Sequence, residues 1–298
     1  MAKTGSIFLN LLELTPKKLE SIISSLGDVD LIFKAKGREL QAIPFLHQKD
    51  ITDIISKRDS GLLQEELRHI EKRKIQVIDI FDDDYPKLLR QISHAPLVLY
   101  INGNKAALNK SLFAIVGTRN PTAYGISMAQ DFSYNLSLLG IVIVSGLARG
   151  IDTAAHKGAL KKGQTVAVLG SGLLNIYPRE NTHLAERIAE KNGAVVSEFP
   201  LHMAPRRENF PRRNRIVSGL SKGVLVVEAA ARSGALITAH LALEQNREVF
   251  ALAGRADSLV SKGAHLLIKE GAKLVDSIDD ILEELNISFE KKDSLTLT

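Results

Sequence analysis

The chain has 298 residues, enough for one large domain and a smaller one, and 45% of them are hydrophobic and 24% charged, the balance of a globular protein. It has no cysteine, which excludes disulfides, thiolate zinc sites and cysteine nucleophiles and fits a reducing, cytoplasmic setting. The formal net charge of +5 leans toward acidic partners, and neither a signal-peptide pattern nor an apolar run near the ~20 residues of a membrane helix is present.

Residues 1–70 are expected to form a small all-α domain. Ile7, Leu11, Leu12 and Leu14, then Leu19, Ile22, Ile23 and Leu26, recur at helical spacing. Thr15-Pro16 reads as an N-cap followed by proline at the first helical position, and Gly27 as a C-terminal stop. The pattern continues through Ile51–Ile55 and Leu62–Ile70. Such modules occur in DNA-associated proteins, and more often as plain packing or protein-interaction units. Residues 71–110 read as a connector packing on the next domain, with short strands at Ile75–Ile80 and Pro96–Ile101 around the turn Asp82-Asp83-Asp84-Tyr85-Pro86. Adjacent aspartate side chains diverge, so a solvated, capping turn is favoured over a metal site.

From Ser111 the pattern becomes strand, loop and helix, repeated. Strands are expected at Leu112–Val116, Ile141–Ser145, Thr165–Leu169, Ala194–Ser197, Gly223–Val227 and Glu248–Leu252, mostly near-continuous apolar runs of the kind found where both faces of a parallel sheet are covered. Helices are expected at Ser127–Leu139, Thr153–Lys161, His183–Asn192, Asn214–Leu220, Leu236–Gln245 and Asp279–Leu285. The alternation implies an α/β fold, a doubly wound parallel sheet over residues 111–286, with residues 287–298 as a polar tail. Ligands of such sheets bind beyond the carboxyl ends of the strands.

The first strand-end loop, Gly117-Thr118-Arg119, offers backbone amides beside a helix N-terminus and a fixed cation, the elements of an anion site. It carries no dinucleotide fingerprint, and no P-loop occurs in the chain. After the second strand, Asp152 and His156 stand four apart and can share a helix face. An acid–base or metal pair is conceivable; without a third ligand nearby, Asp152 reads as an N-cap with His156 as its hydrogen-bond partner. Glu228, alone at the end of the fifth strand, reads as an acceptor for loop amides.

The densest signal is the run Arg206–Arg215, with five arginines and Phe210 in ten residues. Read as a loop, it needs water or a polyanion around it, because unpaired guanidinium groups are not buried. Arginine forks match phosphate oxygens, and Phe210 offers a flat face to a single-stranded base. The alternative is a solvated run with Phe210 anchored in the core. Further on, Ile237–Leu243 is apolar nearly all round its helix, so a second copy of the chain or the N-terminal helices must cover it.

These stretches resemble the DNA-processing protein A (DprA/Smf) family of bacterial single-strand DNA-binding proteins. The resemblance covers about residues 80–275. It rests on Asp84-Tyr85-Pro86, Gly117-Thr118-Arg119, Ser145 to His156, Tyr177-Pro178 with Asn181, Ser197-Glu198-Phe199-Pro200, Phe210-Pro211 with Arg213-Asn214-Arg215-Ile216, and Ser233-Gly234-Ala235-Leu236-Ile237-Thr238-Ala239. The N-terminal helices fit the family's sterile-alpha-motif-like module. The resemblance implies an extended Rossmann-like sheet that holds single-stranded DNA instead of a nucleotide cofactor, with no catalysis, cofactor or metal. It implies a cytoplasmic homodimer that protects incoming strands and hands them to the RecA recombinase in natural transformation. The DNA site it implies comprises Gly117, Thr118, Arg119, Arg207, Phe210, Arg212, Arg213, Asn214 and Arg215, with Lys262 and His265 completing the set.

The chain departs from the family pattern in places. Leu147 stands where a second glycine is frequent, Ala253-Gly254 replaces Pro-Gly, and His265 stands where asparagine is common. The sequence ends soon after the sheet, so the winged-helix-like C-terminal module of many relatives is not expected. The competing reading is a Rossmann-fold nucleotide hydrolase of the phosphoribohydrolase kind. Those enzymes carry Gly-Gly-x-Gly-Thr-x-x-Glu at the fifth strand, whereas Ala230–Thr238 lacks both the paired glycines and the glutamate.

Overall fold

The computed structural model describes residues 3–286, so the expected tail at 287–298 lies outside the described residues. The chain opens with α1 (Thr4–Leu11), α2 (Pro16–Leu26), α3 (Gly37–Gln41), α4 (Gln48–Arg58) and α5 (Leu62–Lys72). Pro16 takes the first helical position, where its missing N–H has no intrahelical partner. Gly27 ends α2 at φ 71°, a conformation that costs other residues energy.

Two strands follow, β1 (Gln76–Asp79) and β2 (Val98–Gly103), with the short α6 (Lys87–Arg90) between them. The βα repeat then runs β3 (Leu112–Val116), α7 (Ala123–Leu138), β4 (Val142–Ser145), α8 (Ile151–Ala159), β5 (Thr165–Val168), α9 (Thr182–Glu190) and β6 (Ala194–Ser197). It continues through α10 (Asn209–Leu220), β7 (Gly223–Val226), α11 (Gly234–Glu244), β8 (Glu248–Leu252), α12 (Lys262–Lys269), β9 (Lys273–Val275) and α13 (Ile278–Glu284). β9 has no counterpart among the expected strands; at three residues, only one of them buried, it carries no readable periodicity.

All nine strands form one sheet, in the order β1-β2-β6-β5-β4-β3-β7-β8-β9. From β6 to β9 every pairing is parallel. The strands of residues 71–110 extend this sheet instead of packing on it. β2 pairs antiparallel with β6, Tyr100 opposite Ser197, and β1 pairs antiparallel with β2. The turn between them caps itself, with the Asp82 carboxylate accepting from the Asp79 amide at 3.0 Å and Asp84 paired with Lys105. Chain order reverses between β3 and β7, the switch point at which doubly wound sheets open a crevice.

Alternate residues of each strand serve opposite faces. Ala114, Val116, Val224 and Val226 pack under α10, α11 and α12, against Ile216, Leu220, Leu236 and Leu267. Phe113, Ile115 and Ile143 face α7 and α8, against Phe132, Leu136 and Ile151. Further along this second face, Tyr100, Ala167 and Val195 share one core with Phe8, Ile22, Ile32, Leu40 and Ile54 of the N-terminal helices. The helical module is thus docked on the sheet through a continuous apolar core.

Candidate nucleic-acid interface

Only the first part of the arginine run, residues 206–208, is a loop: from Asn209 onward it is the start of α10. Pro211 is compatible with a helix's first turn, where its missing N–H would have no partner, so the helix starts five residues before the expected Asn214. Helical phase then sorts the side chains. Phe210, Arg213, Asn214 and Val217 share one face and line a cleft of about 720 Å³. Arg212 and Arg215 point the other way, and both meet Glu198 Oε2, at 3.4 and 2.6 Å. Arg212 also lies over the Phe199 ring, 5.2 Å from its centroid. These two arginines do not join the cleft, because the buried Glu198 carboxylate holds them on the far side of the helix.

Arg213 needs a second correction. It is only 4% exposed, against the expectation that the guanidinium groups of this run stay out of the interior. Its Nη1 donates to the backbone carbonyls of Gly146 and Val168, and its Nε donates to Asn214 Oδ1 at 3.1 Å. Burial lowers its pKa to about 10, with Asp152 opposing the fall, so it remains charged at neutral pH. It forms part of the cleft floor and ties α10 to the ends of β4 and β5.

The cleft lies at the switch point. Gly117, Thr118 and Arg119 enter it from β3, and Arg232 and Ser233 enter it from the loop between β7 and α11. Gly117 is demanded by crowding, since a Cβ there would lie 2.6 Å from Ile151 Cγ1. The expected amide cradle is reduced, because the Thr118 amide donates to the Glu228 carbonyl at 2.7 Å. What remains is charge and an aromatic surface. The Arg119 guanidinium lies 5.7 Å from the centroid of the Phe210 ring, and Tyr177 packs on the same ring at 5.6 Å and 52°. Phe210 is half-buried, its Cδ1 filling the space beside Gly170. It is therefore both anchored at one edge and open to the cleft. Arg119, Arg207 and Arg232 are exposed, line the cleft and form no ion pair among the described residues. Lys262 and His265, on α12, stand outside its lining; the His265 ring lies against the Gly254 carbonyl, with Nε2 at 3.0 Å.

The titratable candidates hold the scaffold. Gly150, not Asp152, is the N-cap of α8. The buried Asp152 carboxylate accepts from the amides of Gly146 and Ala148 at 3.1 and 3.3 Å, closing the loop under Arg213. Burial pushes its carboxyl up while Arg213 and the two amides pull it back. His156 turns away from Asp152 and bonds Thr165 Oγ1 through Nδ1 at 2.7 Å. Thr165 gives its own proton to the Ile143 carbonyl, so Nδ1 of the histidine is the donor. Burial and the Arg213 charge lower its pKa to about 3. Leu147 adopts φ 57°, the left-handed backbone that favours glycine, with its side chain fully buried; the loop keeps a glycine-like path while using the leucine as an anchor. Glu228 accepts from the Thr122 amide and hydroxyl at 2.9 and 2.5 Å, in line with its reading as a loop acceptor, and Thr122 is the N-cap of α7.

Among the cleft residues absent from the expected set, an aromatic ring and a cation bear on binding. Tyr177 lies within a quoted motif, but its role follows only from its contact with Phe210. Arg232 is a single cation in the loop before α11, and its position after the switch-point strand β7 is the signal that identifies it.

A family model described as DNA recombination-mediator protein A matches residues 76–286. Protein Smf of Escherichia coli (strain K12) is 48% identical over 281 residues, covering 91% of this chain and 75% of that protein. DNA processing protein DprA of Bacillus subtilis is 46% identical over 213 residues, 71% of each chain. The X-ray structure of DNA processing protein A from Streptococcus pneumoniae superposes with a TM-score of 0.83 at 35% identity, over 95% of this chain and 99% of that one. DNA processing protein A from Helicobacter pylori, described for its single-stranded DNA binding mode, superposes at 0.65 with 31% identity, over 72% of this chain and 96% of that one.

Proposed function

Because the chain belongs to the DNA recombination-mediator protein A family, we propose that it binds single-stranded DNA in the switch-point cleft, without catalysis, and mediates recombination of that strand. The observation that carries the reading is the half-buried Phe210 ring, flanked by Tyr177 and Arg119 on the cleft wall. An aromatic face beside unpaired guanidinium groups stacks bases and neutralises phosphates without reading sequence. In a duplex the base faces are already stacked, so the platform discriminates by strand form. Glu228, the acid at the end of the switch-point strand β7, is only 3% exposed and bound to Thr122, so it offers a hydrolase no free base.

The finer steps follow the same reading. Residues 1–70 are the helical domain, and residues 111–286 are the DNA-binding domain, whose sheet the strands of residues 71–110 extend. Two copies associate, protect the incoming strand in the cytoplasm and hand it to the RecA recombinase during natural transformation. No described helix is long and apolar enough to cross a membrane. The test is a gel-shift comparison of single-stranded and blunt duplex DNA across a salt series. Four neutralised phosphates per subunit give a log–log slope near −3, at ~0.7 per phosphate. Equal affinity for duplex, or a flat salt response, would sink the proposal.

A further inference from the structure

The segment between β6 and α10 is held by the helical module. Asn10 Nδ2 donates to the Glu198 carbonyl at 2.9 Å, and Glu13 pairs with Arg206 at 2.9 Å. Between these, Glu66 of α5 accepts from the Leu201 amide at 2.8 Å, and the His69 and His202 rings meet edge to face at 4.5 Å. Leu201 is fully buried and bonded on both sides. Its carbonyl accepts from the Leu174 amide at 3.0 Å, and two residues on the Met203 carbonyl accepts from the Gly172 amide at 2.9 Å. The 172–174 stretch runs directly into Tyr177, while the 201–203 stretch runs into Arg207 and Phe210. One acceptor on the helical module thus sits at the junction of the two loops that carry the aromatic pair.

Glu66 is only 4% exposed. A carboxylate that merely filled this space would be outperformed by an apolar side chain of its size, because burying a charge costs more than one amide hydrogen bond returns. Beside its side-chain interaction with Tyr100 in the core, its contribution to the loops is the acceptor at Leu201.

We propose that Glu66 is a positioning residue for the cleft: by fixing Leu201 it sets the spacing of Tyr177 and Phe210, so the helical module tunes base stacking without touching DNA. This rests on the single-stranded DNA reading above, but half of its test does not.

The experiment compares the whole chain carrying Glu66→Met, which keeps the length and loses the acceptor, with Glu66→Gln, which keeps an acceptor oxygen. In DNA-free protein, hydrogen exchange of residues 170–178 and 199–210 should accelerate in Glu66→Met and return to the wild-type pattern in Glu66→Gln. Affinity for a homopolymeric single strand should fall roughly tenfold in Glu66→Met with the salt slope unchanged. In a Phe210→Ala background the same substitution should cost almost nothing further, because both act through one platform. Wild-type exchange in Glu66→Met, or a binding loss of equal size with and without Phe210, overturns the proposal. If the exchange changes as expected while the wild-type protein ignores single-stranded DNA, the functional reading fails and the positioning role stands. Should Glu66→Met not fold, Asn10→Ala loosens the same segment at Glu198 and is read the same way.

Discussion

The Arg213 guanidinium occupies the space that a side chain at residue 146 would need, and it donates to the carbonyl of the same Gly146. A Cβ at 146 has nowhere to go but into that planar group, whose other partners are the Val168 carbonyl, Asn214 Oδ1 and the facing Asp152 charge. The pair joins the loop after β4 to α10, the helix that presents Phe210.

Gly146→Ala should therefore destabilise the fold by displacing Arg213, by about 2–4 kcal/mol, and Arg213→Met should cost about 3–5 kcal/mol by leaving Asp152 buried without its opposite charge. Urea unfolding measures both. If Arg213 were chiefly a phosphate contact, Arg213→Met would instead leave the unfolding midpoint in place and reduce the salt slope of DNA binding by ~0.7.

Charge and stacking separate in the remaining cleft residues. Arg119→Ala, Arg207→Ala and Arg232→Ala should each weaken binding and flatten the salt slope by roughly 0.7. Phe210→Ala should cost about 1–3 kcal/mol of affinity with the slope intact. Arg212→Ala and Arg215→Ala serve as controls, since Glu198 holds both away from the cleft and their slopes should match wild type. A slope change in the controls equal to that of Arg119→Ala would mean that α10 presents a different face to DNA.

The sheet was legible because its central strands are short apolar runs between loops with clear turn residues, and Phe113 and Ala114 betray nothing unusual by serving opposite faces. The site was legible only as a stretch of chain. Which arginines reach the cleft depends on the phase of α10, and the run's charge read as a loop instead of as a helix starting at Asn209. The i, i+4 spacing of Asp152 and His156 allowed a shared helix face, but α8 starts two residues before the expected Thr153, and tertiary partners decided their bonds: Thr165 for the histidine, and the Gly146 and Ala148 amides for the aspartate. The insertion of β2 beside β6 is a pairing across more than ninety residues, and no local pattern encodes it.

The buried histidine makes acid stability testable. In the folded protein His156 takes a proton only near pH 3, whereas in the unfolded chain it does so near 6.5. Between these values the unfolded state binds the extra proton, so this contribution is complete above about pH 6.5 and is lost as the pH falls toward 3. Asp152 and Glu66, raised by burial, act in the opposite sense above the ordinary carboxylate range. The comparison that isolates the imidazole is wild type against His156→Gln. From pH 6.5 to 4.5 the wild type should lose about 2 kcal/mol more unfolding free energy than the variant. Parallel curves would mean that the ring titrates normally in the fold.

The outer surface of α11 and α12 points to assembly. Ile237, which also lines the cleft, and Leu243 and Leu266 are 42, 53 and 42% exposed, and His240 Nε2 of α11 lies 3.7 Å from Oε2 of Glu270, the residue that ends α12. The N-terminal helices do not cover this patch, because they pack on the opposite face of the sheet. An exposed apolar patch rimmed by charge is the common form of a two-fold interface. Light scattering at micromolar concentration should therefore give twice the 32.6 kDa chain mass, and Leu243→Asp should return it to the monomer with the unfolding midpoint unchanged. A dimer carries two clefts, so lengthening a homopolymeric strand past the distance between them should produce a step in affinity in the wild type and a smooth rise in Leu243→Asp. A wild-type chain that scatters as a monomer with and without DNA rules out the pairing, and with it the step.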